Sequence, residues 1–305
     1  MLLTLITGTL AFTAPQQIDT SLAVARGQRL EVNSYGGEIV VRAWNRNTVR
    51  IEGNSSAQDR LDITSSATTV SVRTQGRHGP PSEIRLTISA PPWMALTLSG
   101  VHTDVKVEGS VAPVTVETVE GDVRVAGGDG LISLRSVQGS VALRGAKGRI
   151  SVNSVNEGVE VTRSTGDITA GTVNGEISLD QVDASTVDAN TVNGDIIYNG
   201  PIRNGGRYAF STHNGDVTLT VAEGTNASVA VSTFNGDFES EFPVPISGTR
   251  KGKGFNFTLG NGSSQVTLES FQGTIELIRP GGEKAREIER DRQHERQEER
   301  DHDRD

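Results

Sequence analysis

The chain has 305 residues, 35 of them glycine and none cysteine, with 34% hydrophobic and 4% aromatic residues and a formal net charge of −9. Without cysteine there can be no disulfide, thiolate zinc site, cysteine nucleophile or lipid-bearing cysteine. A net negative chain with no basic cluster interleaved with aromatic residues offers nucleic acid no electrostatic footprint, and so few large side chains fit a thin aliphatic core better than a broad globular one.

Residues 1–14 hold the apolar run Leu2 to Phe12, with small residues at Ala11 and Ala14 before Pro15-Gln16-Gln17. This reads as a secretory signal peptide, too short to span a bilayer, so the mature chain is expected to be exported and to carry no transmembrane segment. No Lys or Arg precedes Arg26, and a buried first strand is the other reading. Residues 15–95 form a β-rich N-terminal section in which alternation of period two runs through Arg29 to Asn33, Glu38 to Trp44, Val49 to Glu52, Thr69 to Arg73 and Ile84 to Ser89. Trp44 and Trp93 read as cap or junction residues, with an aromatic platform for sugar as the alternative.

Residues 96–280 repeat a signature. Its clearest copies are Thr172-Val173-Asn174-Gly175-Glu176, Thr191-Val192-Asn193-Gly194-Asp195, Thr212-His213-Asn214-Gly215-Asp216 and Thr233-Phe234-Asn235-Gly236-Asp237. Worn copies begin at Ser34, Thr118, Ser136, Ser154 and Ser270, and Gly121, Gly139, Glu157 and Gly175 are each 18 residues apart. Steps of 18 also connect Val123, Val141, Val159 and Ile177, and, half a period away, Val114, Ile132, Ile150 and Ile168. Each aliphatic residue has a second one two positions on, with a polar or small residue between, as a strand with one dry face requires. The fold class is therefore all-β, a parallel β-solenoid of about 18-residue rungs, with eight rungs making a rod of about 40 Å. An antiparallel meander is the competing architecture, because Asn-Gly between alternating hydrophobic residues is also a hairpin signal. Beyond Gly175 the glycine spacing loosens to 19, 21 and 21 residues, which allows longer turns, bulges or local hairpins.

Arg279-Pro280-Gly281-Gly282 ends the β region, and residues 283–305 carry ten acidic and seven basic side chains. Like charges four apart disfavour a stable helix, so residues 281–305 read as a solvated tail, disordered or transiently helical. The basic stretch Arg250-Lys251-Gly252-Lys253 reads as a solvated loop.

The repeated turn is the one constellation with chemical content. A solenoid would set Asn174, Asn193, Asn214 and Asn235 in one column and Glu176, Asp195, Asp216 and Asp237 in the next, an array able to face Ca²⁺ or sugar hydroxyls. Turn chemistry alone also explains these residues, since Asn and Gly tolerate left-handed backbone and Asp caps turns. The variable second position of the signature, filled by Val, His213 or Phe, reads as packing. The five histidines show no ligand spacing, so no metal, cofactor or catalytic residue is assigned, and the chain is not expected to be an enzyme.

Together with Gln-Gln-Ile-Asp-Thr and Gly-Glu-Ile-Val-Val-Arg-Ala-Trp, the Thr-Val-Asn-Gly-Asp repeats resemble a bacterial family of exported β-strand-repeat proteins known as "putative adhesins" or as a domain of unknown function. The resemblance covers roughly residues 16–280. It implies a right-handed single-stranded β-helix of the cell envelope or surface, placed in the periplasm, on the outer surface or outside the cell. The expected function is a non-enzymatic binding scaffold for a surface, glycan or protein ligand. A carbohydrate-active β-helix (polysaccharide lyase or hydrolase) and a periplasmic sensor or assembly component are the alternatives.

Overall fold

The computed structural model describes residues 16–55, 59–76, 79, 81–244 and 254–291. The expected signal peptide at 1–14, the basic stretch at Arg250 to Lys253, three of the histidines (His78, His294, His302) and the tail beyond residue 291 lie outside the described residues.

The 18-residue sets pair in parallel. Val123 lies beside Val141, Val141 beside Val159 and Val159 beside Ile177, and Val114, Ile132, Ile150 and Ile168 line up in the same way. All are buried and belong to one continuous core. Two stacks of parallel strands thus face each other across a thin aliphatic interior, which is the solenoid and excludes a meander for this part of the chain.

The rungs do not all stack in chain order. In space the series begins with Thr69–Gly76 and Ile84–Ala90, continues to Arg29–Ala43 and then to Ala95–Ser110. It proceeds regularly through Val114–Glu117 with Val123–Gly127, Asp129–Arg135 with Val141–Arg144, Lys147–Asn153 with Val159–Thr162, and Thr165–Gly171 with Ile177–Asp180. Asp183–Asn193 with Ile196–Asn199 and Arg207–Asn214 with Val217–Thr220 follow. Next comes Ser264–Gln272 with Ile275–Ile278, and only then Ala227–Thr233 with Phe238–Ser240. These eleven described rungs make a rod of about 53 Å, longer than eight rungs would give. Each end therefore has one rung slotted between two others that the chain builds on either side of it.

Antiparallel strands close the ends. Asp59–Ser65 pairs with Thr69–Gly76, and Thr48–Ser55 pairs with Ile84–Ala90 and in turn with Gln16–Ala23. At the far end Gly254–Leu259 runs antiparallel to Ala227–Thr233, the local hairpin that the loosened spacing allows. The N-terminal section is thus both irregular rungs and cap. Trp44 marks the junction between them, its indole N–H donating to the Thr48 carbonyl (2.7 Å) with the Arg46 guanidinium over the ring. Trp93, partly buried against the core, lies under Arg26.

The wider spacing after Gly175 has three local causes. A register shift between Thr165 and Asp167 absorbs one residue, a turn at 221–226 lengthens the step from Gly215 to Gly236, and a loop at 200–206 lengthens the step from Gly194 to Gly215. That loop is pinned: Tyr208 donates its hydroxyl to the Ala184 carbonyl (2.7 Å) and accepts the Arg203 N–H (2.8 Å), while Tyr198 donates to the Pro201 carbonyl (3.1 Å). Arg203 also forms a two-bond ion pair with Asp183. This hydrogen bonding holds the Asp183 carboxyl below its ordinary 3.8. A carboxyl with a lowered folded-state pKa stabilises fully above its unfolded value and loses that contribution as pH falls through the folded one. Arg203→Ala is expected to flatten the acid limb of the stability profile below about pH 4, with a small effect at pH 7 because the pair is solvent-exposed. Urea midpoints at pH 3 and pH 7 check it.

The start of the tail is ordered. Residues 283–291 form a helix whose Lys284 ammonium pairs with Glu276, a buried carboxylate on the outward side of the second stack. Among the described residues no helix is long and apolar enough to cross a membrane.

Candidate functional site

The signature occupies the corner where the chain passes from the first stack to the second, and each of its positions contacts the adjacent rung. The Thr or Ser hydroxyl donates to a carbonyl one rung away: Thr172 to Glu157 (2.9 Å), Thr191 to Gly175 (3.2 Å), Thr212 to Gly194 (2.9 Å) and Ser270 to Gly215 (2.9 Å). These hydroxyls belong to buried residues and find their partners in the neighbouring rung rather than in water. Thr233, on the outermost rung, has no such partner for its hydroxyl.

Glycine follows because the rungs approach closely here. A Cβ on Gly121 would stand 2.3 Å from the Thr103 carbonyl oxygen, and its φ of +132° is one that side-chain-bearing residues seldom adopt.

The Asn column is a hydrogen-bonded ladder. Asn174 donates to Asn156 Oδ1 (3.3 Å), Asn193 to Asn174 Oδ1 (2.8 Å) and Asn214 to Asn193 Oδ1 (2.7 Å). Gln272, not Asn235, lies next to Asn214, because the rung carrying Ser270 to Thr274 is slotted in between. In the other direction the column runs through Gln138 and Glu120 to His102, whose Nδ1 is 2.6 Å from Glu120 Oε2.

The acidic column is engaged with backbone. Asp195 Oδ1 accepts the Asp216 N–H (2.8 Å), Asp216 Oδ1 accepts the Thr274 N–H (2.6 Å), and Asp104 and Asp122 cap Asp122 and Ser140 likewise. Glu176 stands in the same series, and Asp237 lies on the outermost rung with its backbone carbonyl accepting the Ile275 N–H. The Asp side chains thus join each rung to the next. Among the described residues no group of three or more His, Asp and Glu side chains is arranged to hold a metal ion. Asp195→Ala is expected to cost about 0.5–1.5 kcal/mol, the net worth of one hydrogen bond, and Asp195→Asn less because it keeps the acceptor. Thermal melts of the two variants test this.

Sequence reasoning took the variable second position as packing, and the structure turns it outward. Val101, Val119, Val173, Val192, His213, Phe271 and Phe234 are exposed along the corner, while Val137 and Val155, on the two rungs between Val119 and Val173, are half-buried. At one end the rings stack, His213 on Phe271 at 4.5 Å and Phe271 on Phe234 at 4.8 Å. The signal that could have found this column is the signature's own order: a buried Thr and an amide of the ladder flank the variable residue, so alternation aims it away from the core.

A second feature lies on the second stack near its N-terminal end, a groove of about 870 Å³ lined by Glu38, Glu83, Arg85, His102, Asp104, Lys106, Asp122 and Arg124. Glu38 pairs with Arg85 (2.7 Å) and Asp122 with Arg124 (3.1 Å), so these charges neutralise one another in place.

Three solved structures share similarity over most of the chain. One is a "putative cell adhesion protein" from Clostridium sporogenes ATCC 15579, with 9% identity, 88% of this chain and 100% of that one covered, and a TM-score of 0.24. The second is a "putative adhesin" from Parabacteroides distasonis ATCC 8503, with 8% identity, coverage of 86% and 97%, and a TM-score of 0.43. The third is a "putative adhesin" from Bacteroides fragilis NCTC 9343, with 13% identity, coverage of 86% and 97%, and a TM-score of 0.40. No curated protein matches in sequence. The profile of one family, Toastrack DUF4097, matches residues 27–278, nearly the whole rod. This chain is a member of the Toastrack DUF4097 family.

Proposed function

We propose that this chain is an exported, non-enzymatic binding scaffold of the bacterial cell envelope or surface, with the signature corner as its ligand-facing edge. Asn174, Glu176, Asn193, Asp195, Asn214, Asp216, Asn235 and Asp237 are the candidate ligand-facing residues. The observation that carries this reading is the unbroken amide ladder Asn156, Asn174, Asn193 and Asn214, which repeats one polar group on four successive rungs of the rod. Repetition of this kind suits a ligand that is itself repeated, since many weak contacts sum to avidity. The apolar N-terminal run supports export.

The test is a glycan-array and cell-surface binding screen of residues 15–305, with and without Ca²⁺, alongside an assay for reducing sugars and unsaturated products. Binding without turnover is the expected result, and silence in every binding arm would overturn it. The charged groove favours one second reading, a carbohydrate-active β-helix, and product formation would establish that reading instead.

A further inference from the structure

We propose that the outward Val173 and Val192, with the half-buried Val155 next to them and the amide ladder Asn156, Asn174 and Asn193 beside them, form a docking strip for one uncharged, extended polysaccharide chain lying along the rod axis. This rests on the binding-scaffold reading and names the ligand class and the contact residues.

Shape is the first argument. The strip covers three rungs, about 10 Å from Val155 to Val192 at strand spacing, and is two side-chain columns wide, one of Val and one of Asn. That is far below the ~800 Å² per partner that a stable protein interface buries. A patch this small and narrow fits a few units of a single polymer chain and not a globular face or a second rod.

Charge is the second. The chain carries −9 overall, but the strip holds only aliphatic and amide groups, and the carboxylates of Asp195 and Asp216 border it on one side. A polyanion would be repelled there, and no charged group of the strip itself would be matched by a polycation.

Recognition chemistry is the third. A pyranose presents C–H faces and a rim of hydroxyls. Val173 and Val192, 40% and 43% exposed, supply an apolar rail for the former. Asn174 and Asn193 each spend one amide hydrogen and one acceptor lone pair along the ladder, which leaves the other hydrogen and lone pair for a hydroxyl. The groups recur about every 4.8 Å, close to the advance of one equatorially linked sugar, whereas an extended peptide advances ~3.3 Å per residue and falls out of step. The stacked rings at the column's end spend their faces on one another, so the aliphatic middle carries the contact.

The experiment is affinity electrophoresis and calorimetry of the full chain with soluble glucomannan as the neutral extended probe and polygalacturonate as the charged one. Glucomannan is expected to bind, with at least tenfold weaker binding in Val173→Lys/Val192→Lys and no change in Arg144→Gln. Val173→Thr/Val192→Thr, which keeps the β-branch, should fold as the parent does and bind with intermediate strength. Tighter binding of polygalacturonate, or neutral-glycan binding untouched by the Lys pair, would overturn the strip while leaving the scaffold reading in place. A concentration-dependent dimer abolished by the Lys pair would overturn it in favour of a second copy. Failure of glucomannan together with every ligand of the broader screen would overturn both.

Discussion

Truncation after Gly262 is expected to disorder two rungs, although it removes the strands of one. The deleted Ser264–Gln272 and Ile275–Ile278 lie between Arg207–Asn214 with Val217–Thr220 and Ala227–Thr233 with Phe238–Ser240. Val266, Leu268, Ile275 and Leu277 are fully buried, and at about 1.5–3 kcal/mol each their loss removes roughly 6–12 kcal/mol of burial. The outer rung cannot take the vacated place without cost. Leu277 packs in register with Leu219, and the residue that would replace it is Ser240; Leu268, beside Phe210, would give way to the smaller Val231. Hydrogen exchange should show Ala227–Thr233 unprotected in the truncated chain and protected in a chain ending at Gly281. Persistent protection in the shorter chain would show that the two rungs are interchangeable.

Gly121→Ala is expected to cost about 3 kcal/mol or more. The new methyl would stand 2.3 Å from the Thr103 oxygen and 2.5 Å from its carbonyl carbon, atoms of backbone that cannot rotate away, and the +132° φ adds strain. Gly205→Ala is the control. Its φ of +77° also disfavours a side chain, but nothing lies within 4 Å, so about 1 kcal/mol is expected. Urea midpoints of the two variants separate close approach from conformation alone. Equal losses would mean that the rungs can part locally to admit a methyl group.

How much of this the amino-acid sequence disclosed depends on whether the deciding contact is local. The aliphatic sets from Val114 to Ile177 could be read because every rung there has the same length, so spacing alone sets the neighbour. The slotted rung could not be read. Asn214 pairs with Gln272, 58 positions on, while Asn235 lies 21 positions away with the same signature around it. The copies are chemically alike, and which one stacks is decided by filling around Phe210 and Leu219, which no spacing reveals. The outward turn of Val173 and Val192 was hidden for another reason. The alternation changes phase between the two strands of a rung, so Val173 faces outward when counted on from Ile168 and Ala170 but inward when counted back from Ile177 and Leu179. The helix at 283–291, one of the two states its own charges left open, also meets a distant partner, Glu276, that a reading of those charges omits. Of the candidate site, the Asn ladder was legible, while the use of the Asp carboxylates as inter-rung caps was one of two open readings that geometry had to weigh.

The slotted rung also orders events in time. A chain leaving the ribosome or a secretion pore from its N-terminus delivers residues 227–240 before the segment that must lie beneath them. The outer rung therefore has to wait undocked, or dock early and be displaced, until residues 264–278 arrive. Completion of the rod is tied to delivery of its last strands, so a chain stalled or clipped short of them presents an open, unpaired edge that quality-control proteases can recognise.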